Sequence, residues 1–192
     1  MIILAIDTCG FFYSLAILRD NQVLCEIRAN EKNMQCEELV SQIELLLAKA
    51  TIDYSDLDLL AVTTGPGTFN GVRIGMSAAY GISLASGIKI ATVSTLEVIA
   101  YKMKATSVCF AADSQIGFLQ QFDSQFNPTS EIVEIILDQT DKNNLLLFDV
   151  NNYDLSDISN AVSVGLLYIN RGSNQPQLFY GKLPSIHVKN PD

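Results

Sequence analysis

The sequence has a single histidine, His187, in 192 residues. It contains no H-x-x-x-H pair, no H-E-x-x-H motif and no C-x-x-C pair. A zinc or iron site of the usual nitrogen and sulfur kind therefore cannot be assembled from one local motif. A histidine-based triad would need His187, in a tail expected to fray, and no neighbouring residue supports one. Basic charge is also scarce: 12 Lys and Arg stand against 21 Asp and Glu, a formal charge of −9. The bases are scattered (Arg19, Arg28, Lys32, Lys49, Arg73, Lys89) and form no stripe. Gripping nucleic acid requires several cations that displace counterions. On its own the chain is a poor candidate for holding RNA or DNA, and a partner would have to hold it.

Other absences narrow the setting. The opening "MIILAIDTCG" has no basic segment and turns polar at Asp7, so it does not read as a signal peptide. Residues 71–88 come closest to an apolar span but contain Arg73, three serines and four glycines, so no membrane crossing is expected. Cys9, Cys25, Cys36 and Cys109 are far apart and read as free thiols in a reducing, cytoplasmic compartment.

The residues that are present suggest an α/β protein. "IILAID" (2–7) reads as a buried strand ending in an acid, and two β-type runs flank Asp20-Asn21 as a hairpin. Cys36, Leu39, Val40, Ile43, Leu46, Leu47 and Ala50 recur at helical spacing. A strand over 56–65, a glycine turn, a helix from about 70 to 86 and a strand at "IKIATV" follow. "STLE" (94–97) is a capping box that starts a further helix. A hairpin followed by α/β units implies a mixed sheet. From about residue 105 the pattern partly restarts: "SVCFAADSQIGFLQQFDS" parallels "IILAIDTCGFFYSLAIL", which suggests a duplicated unit. "EIVEIILDQ" fits a short helix or a strand, "NNLLLFDVNN" a strand, and "DISNAVSVGLLYINRG" a helix ending at Gly172.

Three features could carry chemistry. "TTGPGTFNGVRIG" (63–75) is a glycine-rich strand-to-helix turn of the type whose N–H groups can bind phosphate. It lacks the P-loop lysine and misses the G-x-G-x-x-G spacing, so a tight packing turn is the stronger reading. Asp7 and Asp113 each end a strand, and with Gly10 they are the weak candidates for holding a cofactor or divalent ion. The alternative for each acid is a hydrogen bond to the turn that follows it. The helix after the glycine turn is the third feature. Gly71, Gly75 and Ala79 form one small-residue face, Val72, Met76 and Tyr80 lie beside it, and Arg73 is the only charge between 69 and 88. A helix apolar nearly all round is buried on more than one side. Its second cover is either the rest of the chain or another subunit.

"ILAIDT" (3–8), "GPGTFNGVRIG" (65–75) and "VSTLEVIA" (93–100) closely resemble the TsaB (YeaZ) family, whose glycine signature G-P-G-S-F-T-G-V-R-I-G differs here only at Thr68 and Asn70. The resemblance holds through about residue 120 and is thin beyond 125, where "NQPQLFYGK" (174–182) is the similar segment. It implies an actin-like (ASKHA) fold of two ribonuclease-H-like lobes with mixed sheets, the second lobe shortened: 1–103 with the partner-binding helices, and 104–192. It implies a non-catalytic relative of TsaD, the protein that carries metal-binding histidines and makes threonylcarbamoyladenosine at position 37 of certain tRNAs. Such a relative pairs with TsaD, is joined by the ATPase TsaE, needs no cofactor of its own and meets tRNA only through the complex. The implied interface lies on the helices near 34–50 and 70–86, here Cys36, Val40, Ile43, Val72, Met76 and Tyr80. Many relatives have a histidine near the start of the first of these helices, where this chain has Cys36. The competing readings are an ATP- or metal-dependent actin-fold phosphotransferase or peptidase using Asp7 and Asp113, and a plain homodimer.

Overall fold

A computed structural model of the chain describes residues 1–140, 145–149, 152–153 and 160–171. The first sheet contains β1 (Ile2–Asp7), β2 (Ser14–Arg19), β3 (Gln22–Arg28), β4 (Leu59–Thr63) and β5 (Lys89–Val93), in the order β3-β2-β1-β4-β5. β1, β2 and β3 are antiparallel neighbours, and β4 and β5 run parallel to β1. The β2–β3 turn falls at Asp20 and Asn21, as the sequence indicates, with Asp20 left-handed at φ 53°.

Helices cover both faces of this sheet, which explains its nearly unbroken apolar central strands. On one face lie α1 (Gln35–Ala50) and α2 (Phe69–Ser86). Leu4, Ile6, Leu15, Ile17, Leu60 and Val62 of the sheet pack there in one cluster with Leu39, Ile43 and Leu46 of α1 and Met76 and Ala79 of α2. Strand alternation sends Ile3, Ala5, Ala16, Leu18 and Ala61 to the other face. That face meets α3 (Thr95–Met103) and α4 (Asn160–Arg171). Ser94 caps α3 through the reciprocal box read from "STLE": the Glu97 N–H donates to Ser94 Oγ at 3.1 Å, and the Ser94 N–H to Glu97 Oε2 at 2.7 Å.

The pairing register aligns alanines across four strands. Ala16 pairs with Ala5, Ala5 with Ala61, and Ala61 with Ala91. All four are buried in the α4-side cluster. A row of methyl groups is shallow enough for a helix to lie close, and α4 packs over β1, β2, β4 and β5. Gly165 gives the matching relief on the helix: a Cβ there would collide with the side chain of Leu18.

The second sheet contains β6 (Ser107–Ala111), β7 (Ile116–Gln121), β8 (Val133–Ile136) and β9 (Leu146–Phe148), in the order β8-β7-β6-β9. β6, β7 and β8 are antiparallel neighbours, and β9 runs parallel to β6. This repeats the arrangement of β1, β2, β3 and β4, so the restart read from the sequence is a repeat of topology. The copies differ in their crossovers. Between β3 and β4 lies the 16-residue α1, whereas β8 is followed by a short 3-10 turn, Leu137–Gln139, before β9 begins at Leu146. The "EIVEIILDQ" segment is therefore a strand followed by a turn. The expected break at residue 103 falls between the two sheets, while α4, from the later half, lies on the first sheet. Gly172, the 174–182 segment and His187 lie outside the described residues.

Candidate functional site

The end of β1 is the focus of polar contacts. Register places Ser14 opposite Asp7, and Thr63 ends the neighbouring β4. Asp7 is fully buried. Its Oδ1 accepts from Thr63 Oγ1 at 2.6 Å and lies 3.4 Å from the Cys9 N–H and 3.5 Å from the Tyr153 hydroxyl. Its Oδ2 accepts from Asn160 Nδ2 at 3.0 Å. Asn160 opens α4, and its own Oδ1 accepts from Lys102 of α3. The next N–H of α4, on Ala161, donates to Ser14 Oγ at 3.0 Å. The start of α4 thus lies beside the buried carboxyl. Burial pushes the Asp7 carboxyl up, opposed by the bonds from Thr63, Asn160 and the Cys9 N–H and by the Lys102 charge. Burial, and then the Asp7 charge, push the neighbouring Cys9 thiol up to about 12.

Asp7, Gly10 and Asp113, the weak candidates for holding a cofactor, are each engaged by the protein itself. Asp7 lies beneath Asn160 and Tyr153, with both oxygens occupied by the protein. The Gly10 carbonyl accepts from Gln35 Nε2 at 3.0 Å and from Thr68 Oγ1 at 3.5 Å. Asp113 is exposed and accepts from the N–H groups of Gln115 and Ile116, both at 2.8 Å, within its own turn. Among the described residues no three of His, Cys, Asp and Glu are grouped as metal ligands. A nucleotide with a divalent cation does not fit these residues at the end of β1.

The glycine turn is a packing device. Thr68 caps α2 by accepting from the Gly71 N–H at 3.2 Å. The Thr68 N–H donates to the Cys9 carbonyl at 2.7 Å, and Thr8 Oγ1 donates to the Gly71 carbonyl at 2.6 Å. A Cβ on Gly67 would overlap the Cys9 carbonyl, one on Gly71 the Thr8 carbonyl, and one on Gly75 the Thr8 hydroxyl. Only glycine lets α2 lie this close to the β1 end.

The six interface candidates separate into two groups. Cys36, Val40 and Tyr80 are exposed, Val40 by 60% and Tyr80 by 47%. Ile43, Val72 and Met76 are buried in the chain's own clusters, with Met76 only 3% exposed. They are corrected from interface to core: Ile43 of α1 and Met76 of α2 pack in one cluster with the sheet, and Val72 belongs to the cluster on the α4 side. The outward surface gains residues that the sequence reading did not single out: Leu84, exposed by 91%, and the exposed Leu45 and Phe69. The Arg73 guanidinium stacks on the Phe69 ring at 3.5 Å. An open cleft of about 440 Å³ lies between the starts of α1 and α2, bordered by Phe11, Cys36, Thr68, Phe69 and Ile74. Asn160 and the alanine row were also missed. Nothing in the sequence points to Asn160, whereas a recurring alanine in each apolar run ("ILAID", "SLAIL", "LLAVT", "KIATV") was legible.

Comparison with known proteins gives a consistent result. Residues 26–150 match the family described as TsaD, tRNA N6-adenosine threonylcarbamoyltransferase. The chain is 33% identical over 120 residues to the tRNA threonylcarbamoyladenosine biosynthesis protein TsaB of Buchnera aphidicola (subsp. Schizaphis graminum), covering 60% of this chain and 57% of that protein. It is 32% identical over 121 residues to TsaB of Escherichia coli, covering 61% and 52%. The chain thus spans about half the length of the curated relatives it matches. A solved structure described as similar to peptidase YeaZ from Pseudomonas aeruginosa superposes with a TM-score of 0.70 at 19% identity, covering 93% of this chain and 98% of that one. YeaZ from Pseudomonas aeruginosa superposes with a TM-score of 0.62 at 22% identity, covering 73% and 72%. The fold is that of these YeaZ structures, with two mixed sheets.

Proposed function

The chain belongs to the family matched over residues 26–150, described as TsaD, tRNA N6-adenosine threonylcarbamoyltransferase, and from that premise we propose that it is a TsaB (YeaZ) protein, a non-catalytic subunit in the formation of threonylcarbamoyladenosine at position 37 of tRNA. In this reading it pairs with a TsaD protein, and a TsaE ATPase joins the pair. Residues 1–103 form the partner-facing lobe and 104–192 the smaller one, from which α4 returns. The chain works in the cytoplasm, and tRNA meets it only through the complex, in keeping with its charge of −9.

The observation that carries the pairing is the apolar outer surface of α1 and α2. Val40, Tyr80 and Leu84 stand in water there, while the acid that an enzyme of this fold would use is sealed inside. Aromatic residues are enriched at interface cores, and clustered apolar side chains mark interaction surfaces. The same surface serves a homodimer when the partner is missing. Co-expression with TsaD from the same cell, followed by size-exclusion chromatography, tests the reading. A stable heterodimer that Tyr80→Arg and Leu84→Arg break supports it. Two separate peaks at micromolar concentration would refute it.

A further inference from the structure

Residues 7–10 are gripped from two sides. From the α4 side, Asn160 holds the Asp7 carboxyl and the Ala161 N–H holds Ser14, the register partner of Asp7. From the opposite side, Thr8 donates to the Gly71 carbonyl, Cys9 accepts from the Thr68 N–H, and Gly10 accepts from Gln35 at the start of α1. There is little slack, because Gly67 of the turn already touches Cys9, and Gly71 and Gly75 of α2 touch Thr8, without side chains of their own. Asp7 and Thr8 are joined by one rigid peptide, so a shift of the Asp7 backbone also moves Thr8. Close-packed interiors pass on such displacements instead of absorbing them.

We propose that residues 7–10 couple the seating of α4 on the first sheet to the position of the α1 and α2 starts, so that the later half of the chain sets the shape of the partner-facing surface. The functional part of this inference rests on the reading of that surface given above. Coupling of this kind is reciprocal: a partner that fixes α2 also tightens α4.

Amide hydrogen exchange on the full chain tests the coupler directly, with Asn160→Ala as the first variant. The expected result is faster exchange in α4 together with acceleration of residues 71–76 by about fivefold or more. The second half of α1 should keep its wild-type rates, which separates coupling from global opening. Ser14→Ala, which removes only the acceptor for the Ala161 N–H, carries the same test if Asn160→Ala does not fold. If α4 opens in the variant while residues 71–76 exchange as in wild type, the coupler is wrong. Affinity for TsaD is measured in parallel, with a several-fold loss expected. If residues 71–76 accelerate and pairing is unchanged, the coupling stands and the assignment of the partner surface fails.

Discussion

Asn160 Nδ2 donates to Asp7 Oδ2 at 3.0 Å across 153 positions of sequence. A contact of that separation in a fully buried setting costs much chain entropy to form. It survives because every polar group around it is answered: Thr63 on the carboxyl, Lys102 on the amide oxygen, Ser14 on the helix N–H. Removing one member takes a partner from a buried polar group, at about 1–3 kcal/mol per group.

The pH dependence of stability follows from the direction of the Asp7 shift. Burial raises this carboxyl above its ordinary 3.8. A group raised in the folded state contributes its full stability below its unfolded value and loses it as pH climbs through the folded value. The Cys9 thiol, pushed up to about 12, stays neutral meanwhile. The unfolding free energy of wild type relative to Asp7→Asn should therefore fall as pH rises above the ordinary 3.8. Urea titrations at several pH values measure this. A difference that grows with pH would mean that Lys102 and the α4 terminus outweigh burial.

Glycines in α2 should respond in opposite directions. Gly71→Ala drives a methyl into the Thr8 carbonyl and the Thr68 hydroxyl, whereas the space around Gly81 is open. Overpacking should cost about 1–3 kcal/mol at position 71. Gly81→Ala should add about 0.5–1 kcal/mol by helix propensity. Thermal unfolding of both variants decides, and equal effects would show that the α2–β1 approach is looser than described.

Charge placed on α2 distinguishes core from surface. Met76→Arg puts an unpaired cation into the cluster with Leu39 and Ile43 and should prevent or gravely weaken folding, by several kcal/mol. Leu84→Arg and Tyr80→Arg should leave the free chain within about 0.5 kcal/mol of wild type and abolish pairing with TsaD. Circular dichroism and co-purification separate the cases, and a folded Met76→Arg protein would overturn its assignment to the core.

Thiol reactivity should follow burial. Cys36 is exposed, while Cys9 and Cys109 are buried with thiols pushed up to about 12 and about 11. At mildly alkaline pH an alkylating reagent should modify Cys36 within minutes and leave Cys9 and Cys109 intact until the protein unfolds. Mass spectrometry of the labelled chain reads this out, and early labelling of Cys9 would show that the Asp7 region opens readily.

A leucine in the alanine row should fail for lack of depth. Ala61→Leu adds three carbons beneath α4, where the sheet provides only methyl groups. A loss of about 1–3 kcal/mol is expected in urea unfolding, and a neutral result would show that α4 can rise off the sheet at little cost.

Much of the fold was legible because local signals agreed. The short apolar runs, the "STLE" cap, the helical stripe from Leu39 to Leu47 and the hairpin at Asp20 each depend on neighbours in sequence. The role of Met76 was not legible, since periodicity shows that a helix face is apolar but not what covers it. Val40 and Cys36 fell on the predicted stripe yet lie at its edge, outside the arc that α1 turns to the sheet. The Asp7 cluster depends on Asn160, Lys102 and Tyr153, brought together by tertiary folding, and the acid alone suggested a cofactor as readily as a structural anchor.

The late position of α4 in the chain bears on how the protein emerges from the ribosome. All five strands of the first sheet are complete by Val93, but the helix that lies along its alanine row begins at Asn160. At roughly 5–20 residues per second of synthesis, that methyl-lined face waits several seconds for its cover. During that interval Ile3, Leu18 and the alanines offer a sticky surface to any neighbouring nascent chain. Deleting α4 would leave that interval permanent.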